Sequence, residues 1–169
     1  MNQERKWEIT KLISSILLKC LAFLLIILLL FTVLFQWIKY DENSMNPAVK
    51  AGDLLLVDHW NKDFQICDLV AVERDGKVLI RRVVALGGDV VEITEEGLWV
   101  NGVLQIEDYA QGETKLYEGG FSGKATLSEE EVFLLADVRD EAEDSRAFGP
   151  VTKSACLGRV AFFLRRRNF

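Results

Sequence analysis

Leu21 to Ile38 reads LAFLLIILLLFTVLFQWI and carries no charge, which constrains this chain more than any other feature. Carried back to Leu12, the stretch gains only Lys19, near one end, where its stem can snorkel to the headgroups. Such a run is long enough to cross a hydrocarbon core about 30 Å thick. A helix buried in a soluble domain would keep a polar face, and none is present. A cleavable secretion signal is the competing reading. It is disfavoured because the run exceeds a usual signal core and no Ala-x-Ala-like site follows. Gln36, Trp37, Lys39 and Tyr40 fit an interfacial belt. The expected organisation is an N-terminus over residues 1–11, a transmembrane helix over 12–38 and a domain over 39–169.

The flanks give an orientation. Arg5, Lys6 and Lys11 precede the span, whereas Lys39 is soon followed by Asp41 and Glu42. The positive-inside bias keeps the short N-terminus in the cytoplasm and sends the domain across the plasma membrane. The formal net charge is -6 and the acidic middle carries no Lys/Arg stripe, which argues against a nucleic-acid partner. Cys20, Cys67 and Cys156 lack metal-ligand spacing and are too few for a disulfide framework, so Cys67 and Cys156 are expected as free, buried thiols.

Beyond Tyr40 the pattern changes to short, branched apolar runs between turn signals. Leu54–Val57, Leu69–Val72, Val78–Ile80, Val83–Leu86, Val90–Thr94, Leu98–Val100, Val132–Leu135 and Cys156–Leu164 read as strands. Gly87-Gly88-Asp89 marks a turn, and Asn101-Gly102 is the strongest two-residue hairpin signal. Gln105 to Glu131 reads as a long polar surface excursion with one irregular hairpin. The domain has no helical period over three turns. The predicted fold is mostly β, a curved sheet or barrel with one N-terminal transmembrane helix.

Three boxes carry the chemistry. Ser44-Met45-Asn46-Pro47, with Gly52-Asp53 and Val57 behind it, lies a few residues after the span. Ile80-Arg81-Arg82-Val83-Val84-Ala85-Leu86-Gly87-Gly88-Asp89 forms the second. Ala136-Asp137-Val138-Arg139-Asp140-Glu141-Ala142-Glu143-Asp144-Ser145-Arg146, with Gly149, forms the third. Together they resemble the type I signal peptidases, serine-lysine dyad peptidases, over the anchor and nearly the whole outer domain. The resemblance implies Ser44 as nucleophile and an extended substrate laid beside it, with Met45 and Pro47 at the substrate site. It also implies an Arg82–Asp137 pair, with Asp144 and Arg146 similarly engaged, and no cofactor or metal.

Against that family's pattern, Arg81 stands where the lysine base belongs. A neutral lysine accepts the serine's proton when burial favours the uncharged form. A guanidinium stays protonated and offers donors but no lone pair. Ala142 replaces the serine that supports the lysine, and Glu42 lies two residues before the nucleophile, where a carboxylate opposes a developing oxyanion. These changes are expected to compensate one another, with Glu42 pairing bidentately with Arg81 in room left by Ala142. The alternative is that Glu42 is a solvated loop residue.

Three other groups are candidates for the base, and none fits. His59 reads as a packing residue, and Lys77 lies about 13 Å along an extended strand from Arg81. Glu42 would be weakened as a base by its partner. The basic end, Arg165-Arg166-Arg167 with Arg159, is expected near the membrane.

Two functions follow as expectations. One is a membrane-anchored serine endopeptidase that removes signal peptides from exported preproteins. The other is a catalytically impaired relative that binds exported, for example pilin-like, polypeptides as an assembly factor. Ser44 favours the first; Arg81, Ala142 and Glu42 favour the second.

Overall fold

A computed structural model describes residues 3–140 and 142–165. The chain divides into two units, Met1–Phe35 and Gln36–Phe169. The first is a single helix, α1 (Gln3–Leu34), within which Trp7–Leu34 is long and apolar enough to span a membrane. At 1.5 Å per residue those 28 residues reach about 42 Å, ample for a hydrocarbon core.

The helix stops earlier than the expected boundary at Ile38. Phe35–Lys39 instead forms strand β1, paired with β2 at the edge of the main sheet. The reason is packing: Ile38 lies against the cluster of Tyr40, Met45, Val49, Leu55 and Val57, so sheet pairing overrides the apolar composition. Tyr40, expected at the membrane interface, is one of the most buried side chains, at 2% exposure.

The remaining strands are β2 (Leu54–Asp58), β3 (Leu69–Arg74), β4 (Lys77–Ala85), β5 (Val90–Thr94), β6 (Gly97–Val100), β7 (Val103–Leu104), β8 (Lys124–Thr126), β9 (Glu131–Leu135), β10 (Val151–Thr152) and β11 (Cys156–Leu164). One short helix, α2 (Ser145–Phe148), precedes β10. The strands form a seven-stranded sheet in the order β1-β2-β11-β3-β4-β9-β10 and a four-stranded sheet in the order β7-β6-β5-β8. The two apolar runs at 78–80 and 83–86 prove to be parts of one nine-residue strand, β4, with Arg81 and Arg82 in its middle. Strand β4 pairs with β3 along Lys77–Arg82 but with β9 only from Arg82 onward. Among the described residues, the half of β4 that leads to Arg81 therefore has one free edge.

Asn101 and Gly102 both have positive φ, 53° and 77°, as the tight turn between β6 and β7 requires. Gly158 on β11 has a different necessity: a Cβ there would lie 2.1 Å from the Asp58 carbonyl oxygen, so only glycine lets β2 and β11 approach.

The polar excursion after Gln105 contains strand β8 paired with β5, not an irregular hairpin of its own. Its earlier part lies on the third box. Gln111 exchanges backbone hydrogen bonds with Asp137 and Arg139, and Tyr117 donates to the Arg139 and Ala142 carbonyls. The three cysteines are free as expected, with Cys156 buried, but Cys67 is exposed in a left-handed turn conformation.

Candidate functional site

Ser44 sits in a turn held from beneath. Its carbonyl accepts the Val138 amide at 2.8 Å, and the next side chain, Met45, is fully buried with its sulfur 3.4 Å from the Asp137 amide. Met45 was expected at the substrate site; buried this way it presents no surface to a ligand and instead roots the turn. Pro47 is exposed, and its carbonyl and that of Ala48 accept from Arg165 at 3.2 and 3.0 Å. Arg165 thus engages the nucleophile turn, while Arg166 and Arg167 lie outside the described residues. Arg159 faces Asp68 at 3.6 Å.

Arg81 projects from β4 and is 1% exposed. Its Nε donates to the Glu143 carbonyl at 2.7 Å. Its Nη1 donates to the Ile80 carbonyl at 2.7 Å, to Ser44 Oγ at 3.0 Å and to Glu42 Oε2 at 3.3 Å. Glu42 and Arg81 therefore do meet, but through one contact and not as a bidentate pair. Nε is taken by the Glu143 carbonyl, and the two hydrogens of Nη1 are divided among three oxygens.

Ser44 Oγ also lies 2.9 Å from Glu42 Oε2 and 2.9 Å from the Tyr40 hydroxyl. A serine hydroxyl has one proton and two acceptor lone pairs. The carboxylate takes the proton. The guanidinium takes one lone pair, and Tyr40 is placed to take the other. Burial pushes the Tyr40 phenol above its ordinary pKa, although the Ser44 hydrogen bond works the other way, so the phenol stays neutral and able to donate.

The supporting residues are joined as a frame. Arg82 binds Asp137 through Nε–Oδ1 at 2.7 Å and Nη2–Oδ2 at 2.5 Å, with its guanidinium 4.3 Å over the Tyr109 ring. Asp144 caps α2 at the Arg146 amide, accepts from Arg146 Nε and Nη2 at 2.9 and 2.8 Å, and accepts the Ala136 amide. Ala142 packs into the Tyr40–Met45 cluster, directly before the carbonyl that receives Arg81. Residue-by-residue reading missed Tyr40, Arg139 and the Glu143 carbonyl. Arg139 is fully buried and pairs with Glu107 at 2.7 Å. The sequence carried no signal for a backbone carbonyl. For Tyr40 the signal was its spacing of four before Ser44, hidden by its place beside the apolar run. His59 bonds the Leu157 carbonyl at 2.8 Å and takes no part in the site.

A cleft of about 460 Å³ opens beside Glu42, lined by Ile38, Lys39, Asp41, Glu42, Lys77 and Val78. It runs between the segment leading to Ser44 and the free-edged half of β4. Among the described residues no group of His, Cys, Asp and Glu is arranged to hold a metal ion.

Known proteins are similar to this chain over most of its length. The family model described as signal peptidase, peptidase S26, matches residues 12–164. Signal peptidase I V of Bacillus subtilis (strain 168) is 28% identical over 137 residues, covering 73% of this chain and 82% of that protein. Signal peptidase I of Bacillus caldolyticus is 30% identical over 136 residues, covering 72% and 75%. The solved structure of a signal peptidase I from Enterococcus faecalis V583 matches with a TM-score of 0.48 and 28% identity, over 59% of this chain and 97% of that one. With the family model spanning most of its length, this chain belongs to the signal peptidase family, peptidase S26.

Proposed function

We propose that this protein is a membrane-anchored signal-peptidase relative that holds exported polypeptides in an extended form and does not cut them by the serine–lysine route. The single observation behind this reading is the filled hydrogen-bond shell of Ser44 Oγ. Attack on a peptide carbonyl needs a free lone pair and a proton acceptor. Here Arg81 and Tyr40 stand at the lone pairs, and Arg81 accepts nothing. The cleft between Ile38–Glu42 and Lys77–Val78 suits a strand added to the free edge of β4, with main-chain hydrogen bonds giving affinity. The basic residues before the apolar helix favour a cytoplasmic N-terminus and a domain at the outer face of the membrane, which supports a role where exported chains emerge.

A second reading is favoured by the 2.9 Å contact from Ser44 Oγ to Glu42 Oε2. In it Glu42 is the general base, takes the serine proton as Oγ attacks, and returns it to the leaving amine, so that the protein removes signal peptides itself.

One assay separates the two. Wild type, Ser44→Ala and the triple variant Arg81→Lys/Ala142→Ser/Glu42→Ser are reconstituted in liposomes with a purified preprotein. The expected result is binding without processing by the first two and cleavage by the triple variant alone. Cleavage by wild type that is lost in both Ser44→Ala and Glu42→Gln would overturn the holding role and establish the second reading.

A further inference from the structure

Tyr40 belongs to no box, yet its hydroxyl is 2.9 Å from Ser44 Oγ. Its backbone is pinned on both sides: its amide donates to the Asp53 carbonyl at 2.9 Å and its carbonyl accepts the Gly52 amide at 2.6 Å. The ring is packed in the core with Met45, Val49 and Leu55, so the phenol has little freedom to swing away. Glu42 accepts the serine proton at 2.9 Å, so the serine oxygen meets the phenol as an acceptor. The phenol O–H therefore donates to Ser44. On the serine's other sides, Glu42 accepts its proton and Arg81 donates to it.

We propose that Tyr40 is a positioning residue that holds Ser44 inert, occupying the Oγ lone pair that faces neither Glu42 nor Arg81. This deepens the holding role proposed above, because it names the side chain that keeps the serine of the peptide site from reacting. Of the two groups on the lone pairs, Tyr40 is the one whose polar atom can be removed alone: Tyr40→Phe keeps the packed ring. Arg81 cannot be changed without also stripping the Glu143 and Ile80 carbonyls.

The test uses the full chain in detergent micelles and a fluorophosphonate probe. In the reaction Ser44 Oγ forms a bond to phosphorus, fluoride leaves, and the serine proton passes to the Glu42 carboxylate and then to water. Modification of Ser44 is followed by peptide mass. Tyr40→Phe is expected to react about three- to tenfold faster than wild type, roughly what removal of one neutral hydrogen bond allows. Adding Glu42→Gln to Tyr40→Phe should cancel the gain, which a merely loosened fold would not do. A Tyr40→Phe rate within twofold of wild type, or a gain that survives Glu42→Gln, overturns the proposal.

Should Tyr40→Phe fail to fold, the contact is read from the other side. Ser44→Ala removes the phenol's partner and is expected to shift the tyrosine band in an ultraviolet difference spectrum; a flat spectrum overturns the proposal. Preprotein binding is measured on the same samples. Loss of binding beside the expected rate gain refutes the holding role alone, whereas intact binding with unchanged rates refutes the role of Tyr40 alone.

Discussion

Arg82→Met should be among the most damaging single substitutions outside the hydrophobic core, and the structure says by how much. Asp137 is fully buried, Arg82 is 12% exposed, and both of the hydrogen bonds that the carboxylate accepts among the described residues come from Arg82. Removing the guanidinium leaves a buried carboxylate with no counter-charge, a loss of about 3–5 kcal/mol. For a domain of this size that is a fall of roughly 10–20 °C in melting temperature. The exposed Lys124–Glu92 pair, 62% and 40% exposed, is worth about 0–1 kcal/mol and serves as the contrast.

Adding Asp137→Asn removes the stranded charge, so the double variant should recover about 1–2 kcal/mol relative to Arg82→Met. The measurement is thermal unfolding of the full chain in micelles, followed by near-ultraviolet circular dichroism. A double variant no more stable than Arg82→Met would refute the claim that an unpaired carboxylate causes the damage. Because the next amide, Val138, holds the Ser44 carbonyl, Arg82→Met should also weaken preprotein binding.

Three further outcomes follow. Burial pushes the Cys156 thiol up to about 11. A raised folded pKa means this contribution is full below the unfolded thiol's value near 8.5 and is lost as pH rises through 11. Cys156→Ala should therefore flatten the alkaline fall in melting temperature, by an amount equivalent to about 2–3 kcal/mol at pH 11. Gly158→Ala forces a Cβ onto the Asp58 carbonyl and should cost about 2–3 kcal/mol, read as a lowered melting temperature with β2–β11 amides exchanging faster. Asn101→Ala removes bonds to the Val90 amide and the Asp89 carboxylate as well as a residue tolerant of positive φ, and should cost about 1–2 kcal/mol by urea unfolding.

Much of this fold was legible because strands with branched side chains and glycine turns declare themselves locally. Leu54–Val57, Leu69–Val72 and the Asn101-Gly102 turn are where the pattern puts them. The errors have one physical origin, long-range contact overriding local composition. Phe35–Lys39 reads as the end of an apolar helix but pairs with β2, and Tyr40 reads as an interfacial aromatic but fills the core. At the site, alternation along an extended segment predicts Glu42 and Ser44 on one face; both lie outside the strands, and Glu42 contacts Ser44 and reaches Arg81. The single contact in place of a bidentate one was not legible, because the competing acceptors are the carbonyls of Glu143 and Ile80, and every residue type carries a carbonyl. The fully buried Met45 was hidden for a similar reason: a motif names a residue but not the direction of its side chain.

The filled shell around Ser44 also bears on how such a site can change over generations. Arg81→Lys alone would seat an ammonium beside the Glu42 carboxylate, which holds it charged, so no base appears. Glu42→Ser alone strands a buried guanidinium, and Tyr40→Phe alone leaves Arg81 donating to Oγ. Each single step toward a serine–lysine peptidase leaves Ser44 without a lysine base or the fold weaker. Tyr40, Glu42, Ser44 and Arg81 therefore behave as one epistatic unit. A working serine–lysine site is reached from this arrangement only by several changes at once.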